Sequence, residues 1–213
     1  MADLGDLREE YGHDSLSEDS VHPNPIEQFR IWFDHAVAQK IPEPNAMSLA
    51  TVDESGQPWQ RTVLLKAYDD RGFVFYTNYE SRKGKQLAKN PKTCVLFPWI
   101  QLERQVIVTG TVERVSTSES LKYFASRPFG SRLGAWVSQQ SSVVSSRSIL
   151  LAKFEEMKNK FKDGEVPLPS FWGGYRIQPE TIEFWLGGKS RIHDRIFYKK
   201  TDTGAWTIER LAP

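Results

Sequence analysis

The chain has 213 residues, of which 39% are hydrophobic and 12% aromatic, and this suits one domain with a substantial core. No apolar run approaches the roughly 18 residues of a membrane span, the first residues lack the pattern of a signal peptide, and the one cysteine, Cys94, cannot form an internal disulfide. We therefore expect a cytoplasmic protein without a membrane partner.

The net charge of +1 is unevenly distributed. Residues 1–22 carry seven acids and one base, a net charge of −6, which leaves +7 on the remainder. A basic body suits nucleic acid or small phosphorylated ligands, and composition alone does not choose between them.

Residues 1–22 show no sustained apolar periodicity and predict a mobile arm, followed by a single domain over 23–213. Asn24, Pro25 and Glu27 then predict a helix start with an asparagine cap, a proline at the first position and a capping box. The residues expected on the apolar face of this helix are Ile26, Phe29, Trp32, Phe33, Ala36 and Val37.

Short apolar segments joined by turns follow the helix and predict antiparallel strands, because a parallel return needs a long crossover. These strands are expected over 46–52, 59–68, 73–77, 93–99 and 104–115, with a helix over 82–89 capped by Ser81. Ser116 and Glu119 predict a capping box for a helix that ends at Ser126, and another helix is expected over 147–162. The last strands are expected over 170–177, 181–186, 195–198 and 205–210. The pattern predicts an α+β fold, an antiparallel barrel with helices packed outside it.

Glycine-rich nucleotide motifs and metal-ligand spacings are missing from the sequence. No P-loop, GxSxG or strand-linked GxGxxG pattern occurs, so any nucleotide would be held by side chains. The histidines have no ligand-type spacing with one another or with the cysteine, and no metal site is expected; they are His13, His22, His35 and His193.

Two groups of basic residues suit a phosphate. Arg61 and Lys66 lie in an apolar strand, where cations are costly unless an anion accompanies them; alternatively, both occupy exposed ends of a half-solvated strand. Arg82 and Lys83 begin a helix, where free N–H groups also favour an anion. Because basic residues oppose the helix dipole there, a purely stabilising role is less attractive.

Two further groups depend on how the chain folds. Tyr123, Arg127 and Ser131 are spaced by four residues, and they converge only if the chain folds back at Pro128; otherwise they mark an exposed helix end. The segment RIHDR (191–195) would direct its arginines and histidine to one side of a strand. It forms either a salt-bridge cluster with its aspartate or a site for an anionic, planar ligand.

Taken in order, these segments resemble the pyridoxamine 5′-phosphate oxidase family over about residues 7–213. The resemblance is carried by RTVLLK (61–66), FYTNYESRK (75–83), LERQ (102–105), YFASRP (123–128), GAWVSQQSS (134–142), VPLPSFWGG (166–174), IEFWLGG (182–188) and RIHDR (191–195). It implies a split β-barrel homodimer with two FMN sites at the subunit interface. It also implies oxidation of pyridoxamine or pyridoxine 5′-phosphate to pyridoxal 5′-phosphate by hydride transfer to FMN. Oxygen then reoxidises the flavin and gives hydrogen peroxide, and the amine substrate releases ammonia.

The resemblance also implies roles for individual residues. The FMN phosphate would be held by Arg61, Arg82 and Lys83, with Gln140 and Ser141 arriving from the other subunit. The flavin would be lined by Val63, Leu64, Tyr76 and Thr77 and contacted by Gln105, Trp185 and Arg195. The substrate phosphate would be bound by Lys66, Tyr123, Arg127 and Ser131, while Arg191 and His193 cover the pyridine ring. One of these two would assist proton removal, and Arg8 and Tyr11 would belong to a lid that closes on the substrate.

Three other functions remain open on the sequence. A flavin reductase or another split-barrel oxidoreductase with a nicotinamide or deazaflavin partner would leave the segment 191–195 without a role. A carrier would bind FMN or pyridoxal phosphate without turnover. A nucleic-acid-binding barrel is suggested by seven tryptophans and the basic body, but the aromatic residues lie in apolar strand patterns.

Overall fold

The computed structural model describes residues 10–12, 15–162 and 164–213. The helices are α1 (Pro25–Ala38), α2 (Arg82–Lys89), α3 (Thr117–Ser126), α4 (Phe129–Val137) and α5 (Arg147–Lys160). The strands are β1 (Ala46–Val52), β2 (Pro58–Leu64), β3 (Ala67–Asp69), β4 (Gly72–Asn78), β5 (Lys92–Trp99), β6 (Arg104–Arg114), β7 (Trp172–Leu186), β8 (Asp194–Lys200) and β9 (Trp206–Arg210). Among the described residues, no helix is both long and apolar enough to span a bilayer.

All of these strands form one antiparallel sheet in the order β2-β1-β5-β6-β7-β4-β3, with β8 and β9 added beside β7. Strands β2 and β3 lie at opposite ends of this order, although only Leu65 and Lys66 separate them in the chain. The sheet therefore has to curl, and backbone bonds from Leu65 to Asn45 and from Lys66 to Val74, both 2.8 Å long, link its two edges. The predicted α+β fold and antiparallel split barrel are confirmed.

The predicted single strand over 59–68 is wrong, because its halves pair with opposite edges of the sheet. The two strands predicted over 170–177 and 181–186 are instead one continuous strand, β7. Pro179 does not interrupt the pairing of β7 with β4 or with β8, since it lies between the last residue of β7 paired with β4 and the first paired with β8. Opposite it, β6 carries a register shift at Gly110, where an added Cβ would lie 2.0 Å from the carbonyl oxygen of Gln178.

Helix caps are formed largely as the sequence predicts. The Asn24 side chain accepts a 2.8 Å hydrogen bond from the Ile26 N–H, and Ser81 accepts one of 3.2 Å from Gly84. The Ser116 side chain likewise accepts from the Glu119 N–H at 3.1 Å, but the glutamate carboxylates of both predicted capping boxes have other partners: Glu27 pairs with Arg30, and Glu119 pairs with Arg176.

The apolar face of α1 covers one end of the barrel. Ile26, Phe29, Trp32 and Ala36 are buried, but Val37 is 49% exposed, so its predicted place on that face is wrong. A second apolar cluster lies under α3, α4 and α5 near the start of β7 and includes Phe124, Leu133, Val166 and Trp172. Helix α4 was not predicted, because Pro128 indicates the end of the preceding helix and no capping side chain marks the start of a new one.

The boundary of the predicted arm at residue 22 also differs from the structure. Leu16 and Val21 are 7% and 8% exposed, and the Leu16 N–H donates a 2.9 Å bond to the Asp194 carboxylate. Residues 15–22 therefore pack on the barrel, while residues 1–9, 13 and 14 lie outside the described part of the chain.

Candidate functional site

A cavity of about 620 Å³ opens beside the start of β7. Strands β2 and β4 and helices α2, α3 and α4 supply most of its wall. The predicted site residues that line it are Val63, Leu64, Lys66, Tyr76, Thr77, Lys83, Tyr123, Arg127, Ser131 and Gln140. One cavity thus collects residues from five separate segments of the sequence.

The turn at Pro128 decides how three of these residues meet. Helix α3 ends at Ser126 and α4 begins at Phe129, so Arg127 and Pro128 break the helix instead of letting it continue straight. Tyr123, Arg127 and Ser131 consequently line the same cavity. Of the two arrangements that the spacing allowed, the convergent one is the one observed.

Three stacked aromatic rings form one wall of the cavity. The Tyr76 ring lies 4.0 Å from that of Tyr123 and 5.5 Å from that of Trp172, with interplanar angles of 20° and 11°. Burial raises the pKa of Tyr76 to about 12 and also raises that of Tyr123. Both phenols therefore keep their protons at neutral pH and can donate hydrogen bonds to an anion.

The Arg127 guanidinium lies 4.7 Å above the Trp172 ring, and its Nη1 atom is buried with no hydrogen-bond partner in the described structure. Burial lowers the pKa of Arg127, although an arginine stays charged at any physiological pH. A buried guanidinium nitrogen without a partner is costly, and a ligand oxygen would supply the missing acceptor.

An adjoining cavity of about 350 Å³ shares Lys83 and Gln140 with the first and is also lined by Arg61, Arg82 and Ser141. Arg61 Nη1 donates to the Leu49 carbonyl at 3.2 Å and to the Thr51 hydroxyl at 2.6 Å. These acceptors are neutral, so they hold the guanidinium without cancelling its charge.

Lys83 is 8% exposed, and its ammonium group also has only neutral partners. It lies 2.9 Å from the Gln140 amide oxygen and 3.3 Å from the Thr77 hydroxyl. Burial, and then repulsion from Arg61, lower the pKa of Lys83 to about 8. Within the described ranges, none of the ion pairs includes Arg61, Lys83 or Arg127, so this part of the molecule holds uncompensated positive charge ready for an anion.

The remaining predicted residues collect at the other end of β7. The Trp185 ring lies 4.7 Å from that of His193 and 6.0 Å from that of Tyr11. Gln105 and Arg195 are the residues paired with Trp185 on the two neighbouring strands. These five residues form what we call the far-end group, and none of them lines either cavity.

The segment 191–195 is not the continuous strand that its alternation predicts. Lys189–Arg191 forms a 3₁₀ turn in which Arg191 has a φ of 61°, and β8 begins only at Asp194. Arg195 makes a two-pronged ion pair with Glu183, at 2.8 and 3.1 Å, rather than with the adjacent aspartate. The salt-bridge alternative therefore holds for Arg195, with a different acid as partner.

The ring of His193 is oriented by the backbone. The Gly188 N–H donates to His193 Nδ1 at 3.1 Å, which places the proton of the neutral ring on Nε2. His193 is thus prepared to donate a hydrogen bond through Nε2.

The two groups of predicted residues are far apart in one chain. Trp172, in the cavity wall, and Trp185, in the far-end group, are thirteen residues apart on β7, which is roughly 40 Å along a strand. Gln140, by contrast, contacts Thr77 and Lys83 of its own chain. Ser141 lies beside it in the adjoining cavity, and Arg8 lies outside the described residues.

Two residues that contact the predicted site residue Arg61 were not predicted from the sequence, Thr51 and Gln86. Thr51 is 1% exposed and bonds Gln86 at 2.6 Å while accepting from Arg61. Thr51 lies on the same buried face of β1 as Met47 and Leu49, and this spacing is a signal that could have indicated a polar contact in the core.

Comparison with family models gives two matches that together span most of the chain. Residues 33–161 match the model described as pyridoxamine 5′-phosphate oxidase. Residues 172–213 match the model described as the C-terminal dimerisation region of pyridoxine 5′-phosphate oxidase.

Curated relatives are similar over the full length. A pyridoxine/pyridoxamine 5′-phosphate oxidase of Aliarcobacter butzleri is 56% identical over 99% of this chain and 100% of its own, and one of Crocosphaera subtropica is 57% identical over the same shares. Among solved structures, PhzG from Burkholderia lata, in complex with tetrahydrophenazine-1-carboxylic acid, superposes with a TM-score of 0.88. It is 29% identical, and the match covers 94% of this chain and 98% of PhzG. A Nostoc punctiforme protein, 16% identical over 91% of this chain and 99% of its own, has a TM-score of 0.70 and shares the fold.

Proposed function

Because the chain belongs to the pyridoxamine 5′-phosphate oxidase family, we propose that it oxidises pyridoxamine or pyridoxine 5′-phosphate to pyridoxal 5′-phosphate with bound FMN and oxygen. The observation that carries the proposal is that one buried and two half-buried cations around two adjoining cavities have no carboxylate partner among the described residues: Lys83, Arg61 and Arg127. FMN and the substrate carry one phosphate each, and the cavities offer a separate cation cluster for each of them.

The adjoining cavity suits the phosphate of FMN. Arg61 and Lys83 are positioned by neutral groups, so their charge remains available to the phosphate oxygens, and Arg82 lies at the N-terminus of α2. Val63, Leu64 and Thr77 line the larger cavity where the flavin would lie. When bound, FMN supplies the redox chemistry, taking two electrons from the substrate and passing them to oxygen as hydrogen peroxide.

The larger cavity suits the substrate phosphate. Arg127 provides a nitrogen without a partner, Tyr123 a protonated phenol, and Lys66 and Ser131 a charge and a hydroxyl at the exposed side. Anchoring the phosphate fixes the pyridine ring against the flavin, and this proximity accounts for much of the rate. The anchors therefore act on turnover although they lie away from the reacting carbon.

At the reacting end, the tautomer of His193 separates the roles of the two proposed catalytic residues. With Nδ1 occupied by the Gly188 N–H, His193 donates from Nε2 and orients the substituent on the substrate ring. Proton removal through His193 would require Nδ1 to lose that bond, so we assign the orienting role to His193. Arg191, two residues before His193 in the chain, is then the candidate for assisting proton removal.

We further propose that the complete site forms between two chains, as a homodimer. The cavities and the far-end group lie at opposite ends of β7, so one flavin cannot reach both groups of the same chain. A two-fold dimer would bring the far-end group of one chain to the cavity of the other and generate two identical sites. The match of residues 172–213 to a dimerisation region supports this arrangement.

The alternatives from the sequence account for less of the structure. A nucleic-acid-binding surface needs exposed aromatic rings beside cations, whereas Tyr76, Tyr123 and Trp172 stack on one another inside a cavity. A reductase would use the FMN phosphate cluster but would have no need of the second cluster around Arg127, whereas a carrier differs from the oxidase only in its lack of turnover.

The experiment is a visible spectrum of the FMN-loaded protein before and after anaerobic addition of pyridoxamine 5′-phosphate. We expect the flavin absorbance to bleach and to recover in air with hydrogen peroxide formed. Pyridoxamine without its phosphate, at the same concentration, is the matched control and should bleach the flavin far more slowly. Flavin that stays oxidised with the phosphorylated substrate would contradict the proposal and favour the reductase or the carrier.

A further inference from the structure

The described residues before α1 form a strap across the barrel, which we call the N-terminal strap (10–12 and 15–22). Leu16 is buried in the core cluster, and its N–H donates to Asp194 Oδ2 at 2.9 Å. At the other end of the strap, the Tyr198 hydroxyl donates to the His22 carbonyl at 2.8 Å. The strap is thus attached to β8 at two points.

Arg210, at the end of β9, joins three parts of this arrangement. Its guanidinium donates to the Glu18 carboxylate at 2.9 and 3.1 Å, to Asp194 at 2.5 Å and to the Leu16 carbonyl at 2.8 Å. Isolated exposed ion pairs contribute little, but an arginine shared between two carboxylates and a carbonyl has the geometry of a network. The hydrogen bond from Arg210 also lowers the pKa of Glu18, so that carboxylate stays charged at neutral pH.

The first described residues of the strap lie on the far-end group. The Tyr11 ring contacts the rings of Trp185 and His193, with centroids 6.0 and 5.9 Å apart. The Gly12 N–H donates to the Glu103 carboxylate at 3.0 Å. The approach is close enough that a Cβ on Gly187 would lie 2.8 Å from Tyr11 Cγ.

We propose that Arg210 is a positioning residue for the substrate: it holds the N-terminal strap on β8 so that Tyr11 is seated against Trp185 and His193. Arg210 acts through the strap, since its three acceptors are Glu18, Asp194 and Leu16 and it contacts neither ring. The proposal rests on the proposed function only in that His193 faces the substrate there.

The test compares Arg210→Met with wild type in two measurements. The first is the rate of chymotrypsin cleavage after Tyr11 and Leu16 in the full chain, which needs no activity. The second is the KM for pyridoxamine 5′-phosphate, determined alone and in the Tyr11→Ala background. We expect cleavage and KM each to rise about tenfold, as loss of an arginine network allows. We also expect almost no further rise in KM once Tyr11 has been removed, because residues that act through one another are not additive.

Controls make each outcome decisive. Arg71→Met removes another surface arginine with a carboxylate partner, Asp69, and should change neither measurement. Glu18→Gln keeps the shape of the side chain and removes its charge, so it should raise the cleavage rate and the KM as Arg210→Met does. It decides the test if Arg210→Met folds poorly. Unchanged cleavage would overturn the proposal, as would faster cleavage with an unchanged KM or an additive effect with Tyr11→Ala. Absence of turnover in wild type would instead refute the proposed function, while the cleavage rates would still decide whether Arg210 holds the strap.

Discussion

The region around the cavities, at one end of β7, and the region around the far-end group, at the other, differ in whether their arginines have carboxylate partners. Around the cavities, Arg61 is held by a hydroxyl and a carbonyl, and Arg127 has a nitrogen with no partner. At the far end, Arg195 is paired with Glu183, and Arg210 is paired with Glu18 and Asp194. A cation with its own carboxylate has its charge neutralised within the fold, whereas one that is held only by neutral groups keeps its charge for a ligand.

The largest effect is expected where a paired arginine is buried. Arg176 is 4% exposed and bridges Asp69 and Glu119, so Arg176→Met removes a buried cation and leaves Glu119 unpaired and Asp69 with only the exposed Arg71. We expect a loss of about 3–5 kcal/mol in the free energy of unfolding of the FMN-free protein, measured with urea. Arg61→Met, which removes a cation without a carboxylate partner, should stay within about 1 kcal/mol of wild type. Equal losses for the two variants would remove the distinction between paired and unpaired arginines.

The next largest effect is expected on the substrate affinity of Arg127→Met. Arg127 is half-buried and its buried Nη1 atom has no partner, so its loss should remove a charge-assisted contact to the substrate phosphate. We expect the KM for pyridoxamine 5′-phosphate to rise between about 30- and 1,000-fold while the bound FMN is retained. Arg127→Lys, which keeps the charge but loses the planar guanidinium, should have a KM between those of wild type and Arg127→Met. If Arg127→Met lost bound FMN in proportion to its activity, Arg127 would belong to the FMN phosphate cluster and not to the substrate phosphate cluster.

A smaller effect is expected from pH on FMN binding. Lys83 has a pKa of about 8 without ligand, and it binds a phosphate best when protonated. As the pH rises above that value, the FMN-free protein loses the proton, and binding must restore it. FMN affinity, measured by fluorescence quenching, should therefore fall by up to about tenfold per pH unit above pH 8. Lys83→Arg cannot lose its proton in this range and should bind FMN with nearly constant affinity; the same decline in both proteins would exclude Lys83 as its cause.

The smallest effect is expected at Arg82, which is exposed and lies 4.1 Å above the Trp59 ring. Arg82→Gln should weaken FMN binding by only about two- to fivefold, since solvent screens an exposed cation. Lys89→Gln, at the other end of α2, is the control and should leave FMN affinity unchanged. A loss of FMN affinity well above about tenfold would show that exposure does not separate Arg82 from the more buried cations of the cluster.

The same contrast explains what the sequence could predict. Patterns that depend on neighbouring residues, such as the Asn24 and Ser81 caps and the extent of α2, are local and were predicted correctly. Features set by distant partners were not: the division between β2 and β3 depends on opposite sheet edges, and the partner of Arg195 is Glu183 on the adjacent strand. A linear motif names the cations but does not show which of them are neutralised by a distant carboxylate.

The most direct test of this account uses hybrid dimers. Arg127→Met disables the cavity region, and His193→Ala disables the far-end region. Two differently tagged variants would be co-expressed, and the mixed dimer purified through both tags. If each site combines the cavity of one chain with the far end of the other, the mixed dimer contains one intact site. We then expect about half the wild-type turnover at a substrate concentration below the wild-type KM. A mixed dimer as inactive as its parents would contradict the account, because both regions would then have to come from the same chain.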